Sequence, residues 1–130
     1  MVQILLVIDD PLVRDQILVG TKHVRGVKTE AVEETSALEW IRQGSVDCVF
    51  LEHNAAQDPS MERLREFREL GPEVEFVIVS DARTAKQLQK ERGESGVDTV
   101  LATPLTADAF FRLVGRLVPR LKRKKQRLGA

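Results

Sequence analysis

Apolar and polar positions follow two rhythms that take turns along the chain. Val2–Ile8 (VQILLVI) is almost continuously apolar, as in a strand covered on both faces. The next segment, Asp10–His23, has a helical rhythm. Asp10 is placed to cap it, Pro11 suits the first helical position, and Leu12, Ile17 and Leu18 form an inward stripe. A weaker strand follows at Val27–Ala31. Glu33–Gly44 then predicts a helix with Ala37, Leu38 and Ile41 inward and Gly44 closing it. Asp47–Glu52 (DCVFLE) reads as a third strand. Ser60–Gly71 reads as a helix capped by Ser60 with Met61, Leu64 and Phe67 on one face. Glu75–Ser80 is a fourth strand, Arg83–Gly96 a polar and weakly amphipathic helix, and Asp98–Ala102 a fifth strand. A long final helix has Thr106 as its cap and Phe110, Leu113, Val114 and Leu117 facing in. Pro119 should kink or break that helix, because proline lacks the backbone donor.

Five strand–helix units with connections this short predict a parallel five-stranded sheet, wound right-handed, with helices on both faces. In such α/β folds a site lies beyond the carboxyl ends of the strands. The residues there are Ile8, Asp9 and Asp10; Glu52, His53 and Asn54; Ser80 and Asp81; and Thr103 and Pro104. Carboxylates and a hydroxyl therefore meet on one rim.

Composition adds boundaries. The 130 residues suffice for one domain, with 42% apolar and 31% charged. Cys48 is the only cysteine, lies inside an apolar run, and fits a reducing cytoplasm as a small core residue. No run approaches the ~20 apolar residues that span a bilayer, so membrane insertion is not expected. Two acids directly after the first short apolar run do not fit a signal peptide. Net charge is zero but polarised. Residues 112–130 hold eight basic groups and no acid, so they carry +8, and residues 1–111 carry −8. A solvated helix end leading into a linker accounts for the basic stretch Arg120–Arg127. Contact with nucleic acid is the reading from another functional class. The tail has no aromatic side chain to stack on bases, and the core itself is not expected to bind nucleic acid.

The two histidines, His23 and His53, are far apart in sequence and read as surface or loop residues, not as zinc ligands. Ser80 has no histidine that the pattern places beside it, so nucleophilic catalysis is not expected. No glycine-rich loop follows the first strand to cradle a nucleotide phosphate. No enzyme activity is predicted.

Four segments, in order and at suitable spacing, resemble the receiver domain of bacterial response regulators over about residues 2–118. They are the opening ILLVIDDPLVRDQIL, the strand DCVFLEHN, the strand FVIVSDA and the strand VDTVLATPL. The resemblance implies a flavodoxin-like (βα)5 fold and a place in cytoplasmic two-component signalling. It also implies a 1–118 receiver-like domain followed by a basic extension or linker at 119–130. The family's phosphorelay chemistry uses an acid pair that binds Mg²⁺, a phosphoacceptor Asp, a Thr or Ser, a Lys and an aromatic switch residue. Carried over by position, these fall on Ile8 and Asp9, Glu52, Ser80, Thr103 and Val100.

The departures imply a pseudo-receiver. Glu is one methylene longer than Asp, which displaces the nucleophile by roughly 1 Å in a reaction that depends on positioning and charge neutralisation. Losing one acid and the Lys removes much of that neutralisation. Asp9 and Glu52 with no Lys sum to −2, as do the family's three acids and one Lys. The resemblance leaves Asp9, Glu52 and the Asn54 carbonyl as the only candidate metal ligands, so no cofactor is expected beyond a weakly held Mg²⁺. Phosphorylation of Glu52 remains the alternative. A third idea, that Glu52 imitates a phosphorylated Asp, is weakened by the missing Lys and by Val100. The expected activity is contact with a protein partner, an output domain or a second copy of the chain. An apolar face of Val100, Leu105, Phe111 and Val118 is its candidate surface.

Overall fold

Residues of β1 (Val2–Val7) alternate between two apolar layers, and that alternation organises the molecule. Val2, Ile4 and Leu6, with Ile8 just beyond the strand, enter one buried cluster, whereas Leu5 and Val7 enter the other. Strands β3 (Cys48–Glu52) and β4 (Glu75–Asp81) divide the same way. Cys48, Phe50, Val77 and Val79 face the first layer, and Val49, Leu51, Phe76 and Ile78 the second. The computed structural model describes residues 1–91 and 99–129. With β2 (Val27–Ala31) and β5 (Thr99–Thr103) the strands form one fully parallel sheet in the order β2-β1-β3-β4-β5. This is the expected flavodoxin-like arrangement, and its winding direction switches between β1 and β3.

Helices α1 (Pro11–Thr21) and α5 (Ala107–Gly129) contribute Val13, Ile17, Phe110, Leu113 and Leu117 to the first layer. Helices α2 (Glu34–Arg42), α3 (Glu62–Leu70) and α4 (Ala82–Lys90) contribute Ala37, Ile41, Leu64, Phe67 and Leu88 to the second. The part of the fourth predicted helix beyond Glu91, and Asp98 of the fifth predicted strand, lie outside the described residues.

Several local expectations are corrected. Leu12 does not join the α1 stripe and stays 67% exposed, while Val13, Ile17 and Thr21 are buried. The Asp10 cap and Pro11 set the phase of the first turn, which leaves Leu12 one position off the inward face. Ser60 does not cap α3. The residue before that helix, Met61, has left-handed backbone (φ 57°), and the Asp58 carboxylate accepts from Glu62 N (3.0 Å) and Arg63 N (3.2 Å) in its place.

Pro119 does not end α5. It and Gly115, four residues earlier, are both exposed, so the proline and the turn it would disturb lie on the solvent side of the helix. The far side of the helix meanwhile stays packed, with Leu121 at 1% exposure in the first layer. Polar ties hold the same turns. Arg120 forks onto Glu75 (Nε 3.1 Å to both oxygens, Nη2 2.9 Å to Oε2), and Lys122 Nζ donates to the Arg25 carbonyl (2.7 Å). Lys125 Nζ reaches Asp47 Oδ2 (3.0 Å) and the Met1 carbonyl. The helix is thus continuous through the 118 position and docked on the acidic amino-terminal edge of the sheet.

Candidate functional site at the carboxyl ends of the strands

Parallel strands that all end on one side deliver their following residues to one crevice, of about 370 Å³, lined by Asp9, Glu52, His53, Ser80, Asp81 and Thr103 among others. Of the rim deduced from the pattern, Asp9, Asp10, Glu52, His53, Asn54, Ser80, Asp81 and Thr103 line this crevice, and Ile8 and Pro104 do not. What each group does there differs from residue to residue.

Ile8, at the first acid position, is 5% exposed and packs into the first apolar layer. Asp10 is spent on the helix behind it: its Oδ1 accepts from Leu12 N (2.9 Å) and Val13 N (3.4 Å). Asp81 is spent likewise on α4. Its carboxylate accepts from Thr84 N (2.8 Å) and Thr84 Oγ1 (2.9 Å), and these bonds, the backbone one foremost, hold its pKa below the ordinary carboxylate value. Asp9 and Glu52 are left as the carboxylates facing the crevice, and Glu52 Oε1 accepts from the Asp9 amide (3.3 Å).

Asn54 turns its polar groups into its own loop. Oδ1 accepts from Ala56 N (2.9 Å), and the carbonyl accepts from Gln57 N (3.1 Å) and Asp58 N (2.9 Å), which engages both carbonyl lone pairs. Among the described residues, no three His, Cys, Asp or Glu side chains gather as a metal site. With the Asn54 carbonyl engaged, Asp9 and Glu52 are what the predicted ligand set offers a cation in the crevice.

Ser80 is buried and its Oγ donates only weakly, to the Asp81 carbonyl (3.4 Å). Thr103, at the lysine position, donates Oγ1 to the Ser80 carbonyl (3.3 Å), so it bridges the ends of β4 and β5 and brings no charge. The peptide between Thr103 and Pro104 is cis. His53 is a half-buried loop residue just after β3 and lines the crevice with Ser80; its backbone amide donates to the Val79 carbonyl (2.8 Å), and Ser80 Oγ bonds elsewhere. Partial burial pushes the imidazole below its ordinary pKa of 6.5; Asp58 opposes this, Arg63 adds to it and Asp81 opposes it.

Arg63 is the group that sequence reasoning missed. From the first turn of α3 its Nη1 donates to the Glu52 carbonyl (3.1 Å), and its Nε pairs with Glu34 Oε1 on α2 (2.6 Å). It lines the same crevice, so the pocket holds a cation after all, fixed by two partners and supplied by a helix instead of β5. The only hint in the sequence is a basic residue early in the helix after the third strand.

The apolar face expected on the other side is corrected. Val118 is 6% exposed and belongs to the core, because the buried stripe of α5 is wide enough to include both 117–118 and 113–114. Phe111, 60% exposed, and half-buried Leu105 line a groove with Leu12 and Val19 of α1. Val100 lies apart from them, half-buried at the β5 edge.

Comparison with solved structures agrees with this architecture. The chain is similar to NtrX from Brucella abortus (25% identity, TM-score 0.69), covering 97% of this chain and 28% of NtrX. It is also similar to the isolated REC domain of RcsB from Salmonella enterica serovar Typhimurium (11%, TM-score 0.71, 98% of both chains). A third is the CheY-like receiver domain protein from Methanospirillum hungatei (14%, TM-score 0.68, 98% of both chains). No family model and no curated protein matches the chain. The fold is that of response regulator receiver domains. No helix among the described residues is long and apolar enough to cross a membrane.

Proposed function

We propose that this chain, built on the receiver fold, is a pseudo-receiver: a cytoplasmic, non-enzymatic signalling module that acts through protein contacts and without aspartyl phosphorylation. One observation carries the reading. At three strand ends where a receiver needs an acid, an aspartate and a lysine, this chain has a buried isoleucine (Ile8), a longer carboxylate (Glu52) and a hydroxyl tied to a backbone carbonyl (Thr103). Each change alone weakens phosphoryl transfer, and together they remove the charge neutralisation that it depends on. Asn54, with its carbonyl engaged, supports the same reading for Mg²⁺. Arg63 does not restore the lost lysine, because Glu34 and the Glu52 carbonyl already hold its guanidinium.

The basic tail fits this reading better than a nucleic-acid role, since Arg120, Lys122 and Lys125 are engaged by the body of the domain. The test is a melting curve with Mg²⁺ and trifluoroberyllate, which imitates a phosphoryl group on a carboxylate. An unchanged midpoint is expected. A rise in midpoint that Glu52→Ala abolishes would establish the alternative, a phosphoacceptor with a deviant site.

A further inference from the structure

Strand β5 is an edge: it pairs with β4 on one side and with no strand among the described residues on the other. An edge strand leaves every second backbone N–H and C=O without a ladder partner. Here the edge opens into a groove of about 510 Å³, floored by Thr99–Ala102 and walled by α5.

The wall is made of arginine. Arg112, Arg116 and Arg120 line the groove at successive turns of α5. With 3.6 residues per turn, Arg123 and Arg127 continue the same stripe, and all five fall within an arc of about 80°. Arg112, Arg116, Arg123 and Arg127 are exposed, and their side chains have no hydrogen bond or ion pair among the described residues. Arg120 shows what the stripe holds, since its guanidinium takes the Glu75 carboxylate in a two-point fork and touches Thr99 Oγ1 (3.5 Å) at the start of β5. Arg116 and Arg112 follow along the strand with no such acid among the described residues. Helix α4 reaches the groove through Gln89 and, with Arg83, Lys86 and Lys90 elsewhere on it, has no acid between Ala82 and Lys90.

The spacings match. Arginines four residues apart on a helix are about 6 Å apart. Side chains two residues apart on a strand are about 6.6 Å apart. An extended segment with a carboxylate at every second position therefore sets successive acids against successive arginines while its backbone pairs with β5.

We propose that the β5–α5 groove binds an acidic, extended protein segment as a sixth strand, with its alternate carboxylates forked by Arg112 and Arg116. A nucleic acid backbone could meet the arginines, but it has no amides to pair with the sheet edge, and so the groove favours a peptide. This deepens the contact-based reading above and rests on it.

The probe is a short capped peptide of alternating Glu and Val, fluorescein-labelled, titrated by anisotropy against the full chain. A Lys–Val peptide and oligothymidylate serve as controls. The Glu–Val peptide should bind, the Lys–Val peptide should not, and amide exchange should slow within Thr99–Thr103. Arg112→Glu/Arg116→Glu should weaken binding by about tenfold or more, and Arg112→Gln/Arg116→Gln by less. Both positions are exposed, and an unchanged circular dichroism spectrum confirms the fold. Equal binding of the Lys–Val peptide, indifference to the charge reversal, or unprotected β5 amides would overturn the proposal. So would oligothymidylate binding that is lost on reversal without β5 protection, because the stripe would then be a phosphate track. Intact mass after phosphodonor treatment of the same preparations keeps the two readings apart. A phosphoryl adduct defeats the pseudo-receiver and leaves the groove, whereas absent peptide binding defeats the groove and leaves the pseudo-receiver.

Discussion

Leu121→Ala tests whether the chain beyond Pro119 belongs to the folded core. Leu121 is 1% exposed and lies in the same apolar layer as Val2, Ile4 and Leu117. Truncating a buried leucine to alanine costs about 2–5 kcal/mol, the spread reflecting how far the site can relax. Leu121 also borders an open crevice of about 420 Å³ beside Asp47 and Lys125, where water can enter, so the lower part of that range, about 2–3 kcal/mol, is expected. At this chain length a loss of that size lowers the melting temperature by roughly 10 °C. Urea denaturation followed by circular dichroism reads it directly, as a shifted midpoint at unchanged slope. Arg123→Ala, on the exposed face of the same turns, should stay within about 0.5 kcal/mol of the parent. If Leu121→Ala is as mild as Arg123→Ala while Leu117→Ala is costly, the last turns of α5 are an appendage and the packing argument fails.

Three further outcomes follow from the same geometry. Asp58→Ala should destabilise by about 1 kcal/mol through loss of the α3 cap, and Ser60→Ala should be near neutral in the same urea titration. Gly20→Ala should be destabilising well beyond its helix propensity, because a Cβ there would sit 2.2 Å from Phe110 Cε1; a neutral or higher melting point would show that Phe110 can move aside. His53 binds its proton less well in the folded state than in the unfolded state, where its pKa is near 6.5. Its neutral form therefore stabilises fully above that value, and the stability falls as pH drops through 6.5 toward the folded pKa. The urea midpoint of wild type minus that of His53→Gln should thus decline as pH falls through about 6.5, and a flat difference would contradict the assignment.

The strands were legible because burial on both faces leaves unbroken apolar runs, and once five of these alternated with helices the rim residues followed from topology. Ile8, Glu52, Ser80 and Thr103 stand at or just past the carboxyl ends of their strands, and a strand end is a one-dimensional feature. What escaped was decided by neighbours in space. Leu12 and Val13 are both apolar, and only the Asp10 cap and Pro11 select which one turns inward. Asp58 reaches past a left-handed Met61 to cap α3, a conformation that nothing in the local sequence announces. Val118 lies off the four-residue stripe of the sequence and is nonetheless buried, because a helix packed deep against a sheet buries a wider stripe. Arg63 enters the crevice only because α3 begins beside the end of β3 and Glu34 of α2 steadies its guanidinium. The site's shape was therefore readable and its charge balance was not.

The central claim is that Glu52 is not a phosphoacceptor. Intact-mass spectrometry of the chain after incubation with acetyl phosphate and Mg²⁺, beside Glu52→Ala, tests it most directly. Unmodified mass is expected for both proteins. A phosphoryl adduct on the wild type that disappears in Glu52→Ala would contradict it and make this a working receiver.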